Sequence, residues 1–124
     1  MNYTNAVIYL LVGLAIITVI DTLGAIASRK LKFKYSYLII LSTAIYIYIS
    51  YLTSAEYGLF PALLVNGLIG FYDGTIGFKL SILLNANTGL DKQKSMEHLN
   101  ERTALFMIIM ASIFAIIGFV ISKI

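Results

Sequence analysis

Four apolar runs, each close to the length of a membrane crossing, constrain this chain more than any other feature. They cover residues 6–28, 37–53, 59–78 and 103–122. A bilayer core takes about 20 apolar residues of helix, and lipid offers no partner to an unpaired peptide group. A helix satisfies its own peptide groups, so four such runs specify four helices. Composition agrees, with 60% of the 124 residues hydrophobic and 12% charged. An average soluble domain carries about 25% charged residues, and one of this size could not hide so much apolar surface. The expected fold is a single all-α domain over residues 1–124, a polytopic membrane protein with four transmembrane helices in an up-down bundle.

The first run must be told apart from a signal peptide, because Ala25, Ile26 and Ala27 before Ser28 imitate a cleavage site. A signal peptide has basic residues ahead of an apolar stretch of about 7–15 residues. Here the basic cluster follows the run and the run is longer, so a retained helix is expected.

Charge placement then threads the chain. Arg29, Lys30, Lys32 and Lys34 form a basic surface in the first loop, while Lys79, Lys92, Lys94 and Arg102 flank or fill the third. The second loop holds only Glu56, and Lys123 is the single cation on the other side. Cytoplasmic loops concentrate Lys and Arg. Both termini are therefore expected outside a bacterial-type inner membrane, with the two basic loops facing the cytoplasm and its anionic lipid. Small multidrug transporters and fluoride channels share this length and helix number. Their antiparallel dimers carry weak charge bias, and the strong bias and absence of Trp here set this chain apart.

The third loop is the longest. Asn85 to Gly89 reads as a turn, and Thr88 with Asp91 reads as a capping box. The spacing predicts a cytoplasmic helix over 89–102 that runs unbroken into the fourth span. Its mixed charges suit a solvated face. Pro61 belongs in the first turn of the third span, where its missing N–H costs nothing. Tyr35, Tyr37, Tyr51 and Tyr57 are placed as interfacial anchors. Tyr46 and Tyr48 lie deeper, where a phenol needs a partner.

Two residues break the apolar pattern. Asp21 and Asp73 sit within the first and third spans, where an unpaired carboxylate costs several kcal/mol. Asp21 precedes Arg29 by about 12 Å of helix and Asp73 precedes Lys79 by about 9 Å, so both would lie at one depth if the spans run in the same direction. Facing carboxylates there would favour sharing one proton. Asn66, Gly70, Asp73 and Gly77 recur at helical spacing, and Gly70 with Gly74 forms a GxxxG pair that admits a close backbone. Thr18, Asp21, Gly24, Ala25 and Ser28 make a comparable stripe on the first span. Close packing of spans one and three is expected, within or between subunits. The sequence around Asp21 and Asp73 is also compatible with a parallel two-helix repeat.

The chain has no Cys, and His98 is its only His. Neither a metal site nor a cofactor is expected. No basic stripe interleaves with aromatics, so no nucleic-acid partner is expected. Catalysis is disfavoured for want of a nucleophile and base. Tyr72 and Asp73 match one motif of intramembrane aspartic proteases, but the accompanying Gly-x-Gly-Asp is missing.

Two functions are weighed. One is a homo-oligomeric channel or transporter-like protein for a proton, cation or small solute, with Asp21 and Asp73 in the pathway and Asn66 as a neutral ligand. The other is a membrane scaffold, accessory subunit or effector whose aspartates are interhelical contacts and whose protein partner meets the cytoplasmic loops.

Overall fold

Because lipid leaves a peptide group no alternative partner, each apolar run closes into helix. The computed structural model describes residues 2–89 and 91–124, and these are helical with no strand among them. Helix α1 covers Thr4–Lys30, a 3-10 turn covers Tyr35–Leu38, and α2 follows over Ile39–Tyr57. The third segment comprises α3 (Leu59–Tyr72), a π turn (Asp73–Gly77) and α4 (Phe78–Leu83). Short α5 (Lys92–Glu97) precedes α6 (Glu101–Lys123). Four segments, Thr4–Lys30, Tyr35–Tyr57, Leu59–Leu83 and Glu101–Lys123, are long and apolar enough to cross a membrane. That is the pattern of a multi-pass membrane protein. The outward faces agree, since Phe60, Ile40 and Leu23 stand exposed where lipid tails would cover them.

The core is built from Ile17, Tyr46, Ile49, Val65, Ile69 and Ala111, one or two from each long segment. Small residues let the backbones close around it. An added Cβ at Gly70 would lie 2.7 Å from Met107 O and 2.8 Å from Ala111 Cβ, and one at Gly74 would meet Met107 and Ala104. Gly118 brings α6 against Ser50 and the Ile47 carbonyl of α2. The backbone admitted by Gly70 and Gly74 is thus that of the fourth segment of the same chain. Periodicity identifies a small face but cannot name its neighbour. Gly24 likewise packs on Leu38 at the start of the second segment, and the contact with the first segment comes through Gly77.

The connections have their own chemistry. Pro61 falls in the first turn of α3, where no intrahelical N–H bond is lost. At one end of the molecule Glu56 accepts from Asn5 Nδ2 at 2.6 Å and from Tyr9 Oη at 2.8 Å, tying the start of α1 to the end of α2. The unbroken helix expected over 89–102 is not formed. Asp91 caps α5 by accepting from Lys94 N at 2.7 Å, so the cap is Asp91 itself; Thr88 instead pairs its hydroxyl with that of Ser95. The chain then leaves helix at His98–Asn100, and Asn100 in extended conformation caps α6 by accepting from Thr103 N at 3.1 Å. Asn competes well with the helix through such side-chain bonds, which is why it stops one helix and starts another. Leu90, at the start of that expected extension, lies outside the described residues.

Candidate functional site

Gly77 is where the two aspartates meet. A Cβ added there would overlap Asp21 Oδ2 and lie 3.3 Å from Asp73 Oδ1, so both carboxyl groups converge over its bare Cα. Asp21 is 3% exposed and Asp73 7%, so bulk water reaches neither freely.

Each outer oxygen has a tyrosine donor. Tyr35 Oη donates to Asp21 Oδ1 at 2.7 Å, and Tyr46 Oη donates to Asp73 Oδ2 at 2.7 Å. Asp21 Oδ2 is buried and has no hydrogen-bond donor among the described residues. If both groups were ionised, that oxygen would face another acceptor in a dry interior, the costliest arrangement open to it. A proton shared between the acids would remove the conflict by making one carboxyl a donor.

Local structure puts the acids there. The Asp73–Gly77 stretch contains two glycines, and its closing bond runs from Phe78 N to Asp73 O, one residue longer than an α turn. Such π turns are rare in helices and are found disproportionately at functional sites. Nothing in the apolar period marks this one; only the paired glycines hint at it. Alongside, Tyr72 Oη lies 2.5 Å from Thr18 Oγ1, whose own proton goes to Leu14 O, so Tyr72 donates and fastens the two spans together.

Asn66 occupies a separate level, about 10 Å along the helix from Asp73. Its Nδ2 donates to Tyr46 O at 3.0 Å and Ala111 O at 3.1 Å, while Oδ1 is buried with no partner among the described residues. Tyr46 therefore connects the two levels, with its carbonyl on Asn66 and its hydroxyl on Asp73. Tyr48 points outward and is exposed.

Tyr35 does something that its reading as an interfacial anchor does not foresee: its hydroxyl reaches Asp21. Its backbone N–H is held by Asn87 O at 2.8 Å, so the third loop fixes the tyrosine. Its position at the end of a basic loop resembles that of any interfacial Tyr, and spacing carries no sign of the return.

A cavity of about 260 Å³ opens beside the pair. Asp21, Asp73, Tyr35 and Tyr46 border it, and Phe106 and Met110 supply part of its apolar wall. Thr103, Phe106 and Met110, a seam at helical spacing on α6, thus face this space. Lys79 is exposed and lies elsewhere. Among the described residues no group of three or more His, Cys, Asp or Glu side chains could hold a metal ion. The chain matches no protein family, and no curated protein or solved structure is similar to it.

Proposed function

We propose that this chain is an oligomeric channel or transporter-like protein that moves a proton, cation or small solute through Asp21 and Asp73. In this reading the four spans form an up-down bundle in an inner membrane, with both termini outside. The first and third spans then run in the same direction, as in a parallel two-helix repeat. The observation that carries the proposal is the meeting of two buried carboxyl groups over Gly77 beside a cavity.

Charge arithmetic supplies the mechanism. One shared proton leaves the pair with a single negative charge held by Tyr35 and Tyr46. A second proton or a monovalent cation arriving through the cavity neutralises it, and its departure restores the charge. Each step changes the buried charge by one unit, which a low-dielectric interior tolerates better than two. Asn66 contributes its free Oδ1 as a neutral ligand farther along the path.

A second reading has its own support. The tyrosine bonds to both aspartates join the first, second and third spans, so the pair also suits a clamp within a non-transporting scaffold, accessory subunit or effector. Its partner contacts would use the basic loop 29–34 and the segment 91–102.

Reconstituted vesicles separate the two. Under an imposed potential, proton or alkali-cation flux should appear with the wild-type chain, and Asp21→Asn and Asp73→Asn should each suppress it while the purified variants stay folded and monodisperse. Flux that survives the double substitution removes the pair from the pathway. Absence of flux in the wild type, together with loss of a bound partner on charge reversal at 29–34, favours the scaffold.

A further inference from the structure

A second cavity lies away from the acid pair, at the ends of α1 and α4. Its volume is about 440 Å³, within the range of about 300–1,000 Å³ usual for small-molecule sites. Arg29 lines it from the last turn of α1, Lys32 from the first loop and Lys92 from α5, far away in sequence. Among the described residues its lining contains no carboxylate. All three cations are exposed and carry the same sign of charge, so an anionic guest in the cavity would be attracted to each.

The floor of this cleft is fixed. Asn87 donates its backbone N–H to Ser28 Oγ at 3.0 Å and its Nδ2 to Phe33 O at 2.8 Å, while its carbonyl accepts from Tyr35 N. The first and third loops are thereby tied together. Lys32 at φ 60° and Asn85 at φ 59° both adopt the left-handed region. Residues with a Cβ stay there only when their surroundings hold them. The walls are polar, with Asn85 and Asn87 among the lining residues.

We propose that this cleft binds a phosphate group between Arg29, Lys32 and Lys92. The phosphate is delivered by an anionic lipid headgroup or by a free phosphorylated molecule. Arg supplies planar, charge-assisted donors and Lys supplies point charges, the usual combination around phosphate. The cleft lies at the mouth of a membrane-crossing helix, where lipid headgroups gather, and it is open enough for a soluble anion. This site does not depend on the transport reading.

The test uses the full chain in detergent micelles, titrated with short-chain phosphatidylglycerol or with inorganic phosphate at constant ionic strength. Binding is read from the rise in thermal unfolding midpoint. One variant pair removes cleft charges (Arg29→Gln with Lys92→Gln). A charge-matched pair removes neighbours outside the lining (Lys30→Gln with Lys34→Gln). Saturable stabilisation is expected in the wild type, weakened about tenfold or more by the cleft pair and little changed by its control. Saturation by phosphatidylglycerol alone assigns the phosphate to lipid, and saturation by inorganic phosphate assigns it to a free anion. Equal loss in the two variant pairs reduces the effect to general surface attraction and overturns the proposal. So does a wild-type chain that neither probe stabilises.

Discussion

Replacing Gly77 by alanine probes the acid pair with a single methyl group. The new Cβ would overlap Asp21 Oδ2 and stand 3.1 Å from Asp21 Cγ and 3.3 Å from Asp73 Oδ1. Asp21 cannot swing away freely, because it is 3% exposed and its Oδ1 holds the Tyr35 hydroxyl. Forcing a methyl into a packed interior costs about 1–3 kcal/mol. If Asp21 yields instead, it forfeits a hydrogen bond to a charged group, worth about 1.5–3 kcal/mol. Alanine's better helix propensity returns up to about 1 kcal/mol, so a net loss of about 1–2 kcal/mol is expected. Gly67 supplies the control, since a Cβ there meets nothing within 4 Å. Gly67→Ala should therefore leave stability unchanged or raise it by up to about 1 kcal/mol. Unfolding in mixed micelles on titration with dodecyl sulfate, followed by far-ultraviolet circular dichroism, compares the two. A Gly77→Ala chain as stable as Gly67→Ala would refute the close meeting of carboxylates over Gly77.

The tyrosine and amide contacts give two more expectations. Tyr46→Phe removes the donor to Asp73 Oδ2 and should cost about 1–3 kcal/mol. In a double-mutant cycle with Asp73→Asn, coupling above about 0.5 kcal/mol is expected, and additivity would sink the assigned bond. Asn66→Ala loses two interhelical hydrogen bonds at about 0.6 kcal/mol each and leaves a small void, a total of about 1–2 kcal/mol in the same unfolding assay. No measurable shift would mean that its amide does not hold α2 and α6 to α3.

The spans were legible because hydrophobic length is a property of the chain taken one residue at a time. Apolar runs locate four membrane-length helices whatever their neighbours do, and the four long segments enclose those runs. Counting residues from the basic loops sets Asp21 and Asp73 level with each other if their helices run the same way, and the two carboxyls do converge over Gly77. Burial of a phenol at Tyr46 calls for a partner, and Asp73 is that partner. The loop between the third and fourth spans was harder, since Asn100 can sit inside a weak helix or cap the next one. The side-chain bonds of Asn100, accepting from Thr103 N and donating to Glu97 O, make it the cap.

What only the assembled molecule decided is which face meets which. A helical stripe of Gly70, Gly74 and Gly77 is one surface in sequence, yet two of its glycines meet the fourth segment and the third meets Asp21. The π turn at Asp73, the return of Tyr35 and the knot at Asn87 belong to the same class. Membrane burial acts on each residue separately and can be read along the chain. Rotational pairing of helices depends on the shape and hydrogen bonding of surfaces far apart in sequence, and it exists only once those surfaces have met.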